Sequence, residues 1–228
     1  MTTREAFLQT VRQAVQRGNP AGHSWPLPER GSVGYQGAGT DPVRRFCDEL
    51  KAAGGQAHLA SDHSSAFQIA LDLIRSRGAQ KALLSDCELL SRLDIAGRMR
   101  QAGIEVTEVA GLQDGTARDA FFAADVGISG VYRLVAETGT VVLTTSRGQP
   151  RSVSLLPPMH IAFAEPSQLL PDLFDLFDLF SPIPSAGKST PASCLTLITG
   201  PSKTGDIELR LVTGVHGPGE IHVILTQG

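Results

Sequence analysis

The hydrophobic and polar positions of the chain follow two periods, one typical of helices and one typical of strands. Apolar residues spaced three and four apart predict helices over residues 4–17, 41–53, 64–77, 88–102, 166–180 and 205–211. Short apolar runs bounded by turn residues predict strands over residues 56–60, 81–85, 104–109, 124–129, 132–136, 140–145, 160–165, 195–199 and 220–226. Between residues 56 and 109 strands and helices alternate, which is typical of a parallel sheet covered by helices.

The pattern after residue 121 is richer in strands and has shorter turns, so at least two neighbouring strands there are predicted to be antiparallel. The fold class is therefore α/β, with a mixed, largely parallel sheet flanked by helices. Residues 1–40 are predicted to be an N-terminal helix followed by an irregular arm rich in Gly, Pro and Ser. Trp25 either anchors this arm, which we favour, or lies over an active site. Residues 41–228 form the α/β domain.

The segment 166–180 repeats an Asp-Leu-Phe unit and has an unusually wide apolar face. Leu169, Leu173, Phe177 and Phe180 fall on one helical stripe, and other apolar residues broaden it. Such a helix is either packed deeply in the core or covered by a second copy of the chain. A homo-oligomer is therefore one of the partner predictions.

Composition narrows the class of protein without naming its activity. Hydrophobic residues make up 41% of the 228 positions, and the net charge of −3 lacks the basic excess expected of a nucleic-acid-binding protein. The three cysteines are far apart in the sequence, so reduced thiols and a cytoplasmic location are expected. We see no spacing for a metal site, no dinucleotide fingerprint, no signal peptide and no membrane span. No cofactor is therefore expected.

A first candidate for chemistry is the turn Glu137-Thr138-Gly139-Thr140 between two apolar strands. A carboxylate at a strand end, followed by Gly, can project into a cleft where the backbone comes close to a ligand. Glu137 could then act as a general base or a nucleophile. The alternative is a turn residue hydrogen-bonded to nearby amides.

A second candidate is the segment Gly200-Pro-Ser202-Lys203-Thr204-Gly-Asp206, between a predicted strand and a predicted helix. Amides at a helix N-terminus, two hydroxyls and the lysine ammonium would converge there on a phosphate or a carboxylate. In the alternative, Thr204 caps the helix and Lys203 is solvated.

Two further segments carry candidate polar residues. His216 lies among glycines in the turn 214–220, where it could contact a ligand, act as acid or base, or cap the turn. Arg151 follows a Gly-containing turn and suits the two oxygens of a carboxylate, although exposed arginines are common.

Four motifs occur in a characteristic order: Glu137-Thr-Gly-Thr, Leu156-Pro-Pro-Met-His160, Gly200-Pro-Ser-Lys-Thr204 with Asp206-Ile-Glu208, and Gly214-Val-His-Gly-Pro218. Together they make residues 40–228 resemble the LUD-domain family (lactate-utilization protein C, or YkgG). The resemblance implies a fold similar to the sugar-phosphate isomerase and CoA-transferase group (NagB/RpiA/CoA-transferase). It also implies a role in bacterial oxidation of L-lactate to pyruvate beside a separate iron–sulfur subunit. The family often has Gly-Ala-Asp where this chain has Gly130-Val131-Tyr132-Arg133.

Three functions stay open at this point. The first is a non-redox component of lactate oxidation that binds a small anionic metabolite, organises an iron–sulfur protein, or both. The second is an independent CoA-transferase-like or isomerase-like enzyme that uses Glu137. The third is an assembly module with a vestigial pocket. The resemblance and the spacing predict Glu137 and His216 as catalytic residues. The predicted ligand-binding residues are Thr138, Gly139, Arg151, Gly200, Ser202, Lys203, Thr204 and Asp206.

Overall fold

The structure is a computed structural model that describes residues 3–18, 28–30, 34, 37–112, 117–179, 194–207 and 210–226. It divides into two compact units, residues 1–35 and residues 36–228. The first unit carries helix α1 (Arg4–Gly18), where a helix is predicted over residues 4–17. Trp25 and Phe180 lie outside the described residues. No helix in the described part of the chain is long and apolar enough to cross a membrane.

The second unit contains two main β-sheets, a two-stranded ribbon and seven further α-helices among its described residues. Its strands are β1 (Gln56–Ala60), β2 (Lys81–Leu84), β3 (Glu105–Glu108), β4 (Val126–Gly130), β5 (Arg133–Val135), β6 (Thr140–Thr144), β7 (Met159–Ala164), β8 (Leu169–Leu170), β9 (Leu195–Ile198), β10 (Lys203–Ile207), β11 (Arg210–Thr213) and β12 (Glu220–Thr226). Its helices are α2 (Pro42–Ala52), α3 (His63–Ser76), α4 (Glu88–Arg92), α5 (Ile95–Gln101), α6 (Ala117–Ala123), α7 (Ser152–Leu155) and α8 (Leu173–Asp178).

The main sheet has six parallel strands in the order β1-β12-β7-β4-β2-β3. Helices α3, α4 and α5 pack on one face of it, while α2 and the second sheet cover part of the other face. Because both faces are covered, the central strands are apolar at nearly every position, and all six residues of β7 are buried. The predicted α/β class with a largely parallel sheet flanked by helices is confirmed.

The second sheet has the order β8-β5-β6-β9. Strand β6 is antiparallel to both β5 and β9, while β8 is parallel to β5. Only Val131 and Tyr132 separate β4 from β5, so the chain passes directly from the main sheet into this one. The second sheet therefore starts beside the carboxyl end of β4.

The helix predicted over 88–102 is interrupted in the structure. Asp94 has a positive φ of 46°, and its carboxylate accepts a hydrogen bond from the Gly97 amide at 3.3 Å. A left-handed residue cannot continue a right-handed helix, so α4 ends and Asp94 caps α5.

The prediction of a single helix over residues 166–180 is wrong. Residues Pro166–Gln168 form a 3₁₀ turn, Leu169 and Leu170 pair with β5, and Asp172 begins α8 by accepting a hydrogen bond from the Asp175 amide at 2.9 Å. Pro171 lacks an amide proton and would clash with the turn before it, so one helix cannot run through this position.

The helix predicted over 205–211 is also wrong. Residues Lys203–Ile207 and Arg210–Thr213 form the antiparallel ribbon of β10 and β11, with Lys203 opposite Thr213 and Thr204 opposite Val212. β-Branched residues such as Thr204, Val212 and Thr213 pack well on a pleated surface, which favours the ribbon over a helix. The helix N-terminus expected to bind an anion here is therefore not formed.

Candidate functional site

An open cleft lies where the parallel strands β2 and β4 end. The chain leaves β2 toward β3 on one side, and leaves β4 toward β7 on the other, so the strand order reverses between β2 and β4. In open α/β sheets this is the position at which the connections separate and ligands bind, outside the carboxyl ends of the strands. We call this the first cleft; the space between its lining atoms, with its open mouth counted, is about 320 Å³. Its lining includes Ser85, Ser129, Gly130, Thr144, Arg151 and Thr196.

The floor of the first cleft holds a buried serine–histidine pair. The Ser129 hydroxyl lies 2.9 Å from Nε2 of His160, and His160 has no exposed surface. Burial, with a smaller contribution from nearby His222, lowers the pKa of His160 to about 4. The imidazole is therefore neutral near pH 7. Its Nδ1 is buried and has no hydrogen-bond partner in the described part of the chain.

A second serine lies beside this pair. Ser85 directly follows β2, and its amide donates a hydrogen bond to the Ile128 carbonyl at 3.0 Å. Its side chain is only 4% exposed, and its hydroxyl oxygen has no partner among the described residues. Buried hydroxyls are normally hydrogen-bonded, so this one is unusual.

Arg151 lies at the rim of the first cleft, directly before α7. It is exposed, and no described residue forms an ion pair or hydrogen bond with its guanidinium. Helix α7 can lie close to the sheet because Gly127 has no side chain. A Cβ at this position would overlap the Val153 carbonyl. The backbone that carries Arg151 is thereby fixed against β4.

A second cleft opens beside the first, at the carboxyl ends of β2 and β3. Its charged lining residues are Asp86, Asp94, Glu108 and Arg100. The Arg100 guanidinium donates a hydrogen bond to the Glu108 carboxylate at 2.6 Å, so these two charges balance. The two aspartates then give the second cleft a net negative charge. The second cleft therefore disfavours anions.

The predicted turn 137–140 lies against α2. Gly139 has a φ of 61°, and a Cβ there would overlap the backbone of Leu50. The hydroxyl of Thr140 lies 2.7 Å from those of both Thr138 and Thr199, so a chain of three hydroxyls joins this turn to the end of β9. Glu137 is half-buried and lines neither cleft.

The predicted segment 200–206 packs on the same helix. Gly200 has a φ of 82°, and a Cβ there would overlap the Ala53 carbonyl, which also accepts a hydrogen bond from Nζ of Lys203. Lys203 therefore helps to satisfy the carboxyl end of α2. Ser202 donates its amide to Pro218 at 2.9 Å, which ties this segment to the turn containing His216.

These contacts gather three predicted motifs near the amino ends of β7 and β12, away from the first cleft. The Gly219 amide donates to the Pro158 carbonyl at 3.0 Å, directly before those two strands begin. His216 is exposed, Thr204 lies in the ribbon, and the side chain of Asp206 is outside the described residues. Ligand binding or catalysis by these residues stays a prediction.

Arg151 is the one predicted site residue that lines the first cleft. Sequence reasoning missed Ser85 and Ser129, and it treated His160 only as part of a motif. The available signal was a serine at the end of an apolar run, in Leu83-Leu84-Ser85 and in Ile128-Ser129. Such serines are common, so the signal is weak without the strand order.

Comparison with known proteins finds relatives over part of the chain and over nearly all of it. The chain is 44% identical over 104 residues to lactate utilization protein C of Bacillus subtilis (strain 168), covering 46% of this chain and 43% of that protein. It is 31% identical over 227 residues to the uncharacterized protein YkgG of Escherichia coli (strain K12), covering 96% of this chain and 95% of that protein. The match to the Bacillus protein thus spans less than half of that protein's length.

A crystal structure of a DUF162 family protein from Deinococcus radiodurans resembles this fold with a TM-score of 0.52 and 19% identity. The likeness covers 89% of this chain and 100% of that one, and it supports the fold alone. The LUD domain family matches residues 43–226, which confirms the resemblance drawn from the four motifs. The chain belongs to the LUD domain family.

Proposed function

We propose that this protein is a non-redox component of a bacterial system that oxidises L-lactate to pyruvate, and that it binds a small carboxylate in the first cleft. The name of the Bacillus subtilis relative supports a role in lactate utilization. The observation that carries the ligand class is the exposed guanidinium of Arg151, which has no partner among the described residues, at the rim of a cleft with neutral polar groups on its floor.

The chemistry of the first cleft fits a small monocarboxylate. An arginine fork can donate two parallel hydrogen bonds to one carboxylate. The floor supplies serine hydroxyls and an imidazole that is neutral near pH 7, so it adds no negative charge against the ligand. Electron transfer is assigned in this proposal to a separate iron–sulfur protein.

Thermal unfolding and calorimetry of the purified chain test the ligand class. L-Lactate, pyruvate, acetate and inorganic phosphate are the probes, and a ligand at a hundred times its dissociation constant should add about 2.7 kcal/mol of stability. Arg151→Gln should weaken carboxylate binding at least about tenfold, because a charged hydrogen-bond donor is lost. Arg147→Gln is the matched control, since Arg147 is exposed in the same loop and does not line the first cleft. If no carboxylate binds, the proposed ligand class is wrong.

Growth tests the lactate role separately. A strain that lacks the gene should grow poorly on L-lactate and normally on pyruvate, and the wild-type gene should restore growth more fully than the Arg151→Gln gene. Normal growth of the deletion strain on L-lactate would overturn the proposed role.

A further inference from the structure

The register of the main sheet brings Ser85 and Ser129 side by side. Leu84 pairs with Ile128, and the Ser85 amide donates to the Ile128 carbonyl, so the next residue on each strand is a serine. Neighbouring strands lie about 4.8 Å apart, and side chains alternate between the two faces. Both serines therefore project from the same face of the sheet, and both line the first cleft. Ser85 also borders the second cleft, whereas Ser129 borders only the first of the two.

The Ser85 hydroxyl is placed to serve a ligand. It is buried at the end of β2, and its oxygen contacts no hydrogen-bonding group in the described part of the chain. An unsatisfied buried hydroxyl lowers stability relative to a satisfied one, so the fold does not explain its presence. An acceptor that enters the first cleft would satisfy it.

The Ser129 hydroxyl has a proton available for the same purpose. A neutral imidazole carries one N–H, and His160 has Nε2 at Ser129 and Nδ1 without a partner among the described residues. If Nδ1 carried the proton, a buried donor would be unsatisfied, which proteins avoid more strictly than an unsatisfied acceptor. His160 therefore donates from Nε2 to the Ser129 oxygen, and the serine proton is free to point into the first cleft.

We propose that Ser85 and Ser129 form a paired-hydroxyl floor that donates one hydrogen bond to each oxygen of a single ligand carboxylate. His160 is a positioning residue that acts through Ser129, and the Arg151 guanidinium approaches the same carboxylate from the rim. This assignment rests on the first cleft of the proposed function, but it holds for any small carboxylate and not for lactate alone. It requires a carboxylate at one end of the ligand, because two adjacent donors match its two oxygens.

Calorimetric titration of serine variants tests the floor, with L-lactate, pyruvate, acetate and inorganic phosphate as probes. Ser85→Ala and Ser129→Ala should each weaken carboxylate binding about ten- to a hundredfold, because each removes a donor to a charged group. Ser85→Ala should not lower the melting temperature, since its hydroxyl has no partner among the described residues. The control is Ser91→Ala, whose hydroxyl donates to the Cys87 carbonyl and which lines only the second cleft.

The outcomes separate this inference from the proposed function. Carboxylate binding that survives in both serine variants would overturn the floor and leave the lactate role standing. A loss in Ser91→Ala, with or without a loss in Ser85→Ala, while Ser129→Ala binds normally would overturn it as well, because the ligand would then lie in the second cleft, which Ser85 also borders. Serine-dependent binding of acetate without binding of lactate or pyruvate would support the floor and remove lactate as the ligand. Preferred binding of phosphate, or no binding of any carboxylate, would overturn both the floor and the proposed ligand class, while the growth experiment would still decide the lactate role.

Nitrogen-15 NMR of the histidine rings gives a readout that does not depend on the fold of a variant. His160 should carry its proton on Nε2 in the free protein at neutral pH. A proton on Nδ1 would mean that the Ser129 proton is donated to His160, and the paired floor would then be wrong.

Discussion

The two ends of the parallel sheet use their polar groups differently. Near the amino ends of β7 and β12, the hydroxyl of Thr140 is shared with two other threonines, and Lys203 donates to the carboxyl end of α2. At the carboxyl ends of β2 and β4, the Ser85 hydroxyl and Nδ1 of His160 have no partner in the described residues. The first region uses its polar groups to hold the fold together, while the second leaves two of them unpaired among the described residues, as the proposed carboxylate site requires.

This difference explains why the motifs were easier to recognise than the cleft. Gly139 and Gly200 both adopt a positive φ and touch helix backbone, which strongly restricts the residue allowed at each position. The serines of the first cleft are ordinary residues at ordinary strand ends. A distinctive sequence motif can therefore arise because the backbone conformation needs those residues, and not only because they bind a ligand or catalyse a reaction.

Gly139→Ala should have the largest effect on stability. Its Cβ would overlap the backbone nitrogen of Leu50 and lie 2.7 Å from its Cα, in a residue that also has a φ of 61°. We expect a loss of about 3 kcal/mol or more in the free energy of unfolding, measured with urea. Gly78→Ala is the matched control, because Gly78 has a φ of 64° but a Cβ there would have no neighbouring atom within 4 Å. Equal losses in the two variants would contradict the close packing on α2.

Acid should have the next largest effect, through the buried histidines. Since burial lowers the pKa of His160 from 6.5 to about 4, the unfolded chain binds a proton at a pH where the folded chain does not. The associated stability is complete above pH 6.5 and is lost as the pH falls toward 4, by about 3 kcal/mol in total. Burial also lowers the pKa values of His58 and His222, and this acts in the same direction. Nε2 of His58 lies 3.1 Å from Nδ1 of His222.

Unfolding free energies measured with urea between pH 7 and pH 4 check the effect of acid. His160→Asn should flatten the dependence on pH, whereas replacing the exposed His216 with Asn should leave it in place. A wild-type stability that does not change across this range would contradict the buried, neutral imidazole.

Lys203→Met should have the smallest effect. It removes the ammonium that donates to the Ala53 carbonyl while keeping much of the aliphatic side chain, so we expect a loss of about 1 kcal/mol in unfolding free energy. Lys51→Met is a suitable control, because it changes an exposed lysine in the last turn of α2. A carboxylate titration of Lys203→Met also tests the sequence-based prediction that the segment 200–206 binds an anion. Unchanged stability would contradict the role of Lys203 at the end of α2.

The elements predicted correctly from the sequence are those whose apolar pattern ends at clear turn residues. Strands β1 and β12 have the predicted bounds of 56–60 and 220–226, because each is an apolar run between strong turn residues. The predictions failed where an apolar pattern crossed a backbone constraint, as at Pro171, or where β-branched pairs favoured a ribbon, as in β10 and β11. The first cleft could not be predicted, because the sequence does not show which groups lie near Ser85. That its hydroxyl has no partner among the described residues is a property of the tertiary structure.

The close approach of α7 to Gly127 also bears on how ligand size could vary among related proteins. The short distance between α7 and β4 depends on the absence of a side chain at Gly127, since any Cβ would overlap the Val153 carbonyl. A relative with a larger residue there must hold the corresponding helix further from its sheet, which would widen the opening beside it. Under the carboxylate site proposed above, the identity of this one residue should correlate with the length of the longest carboxylate that each protein binds, and a chain-length series of carboxylates would measure that correlation.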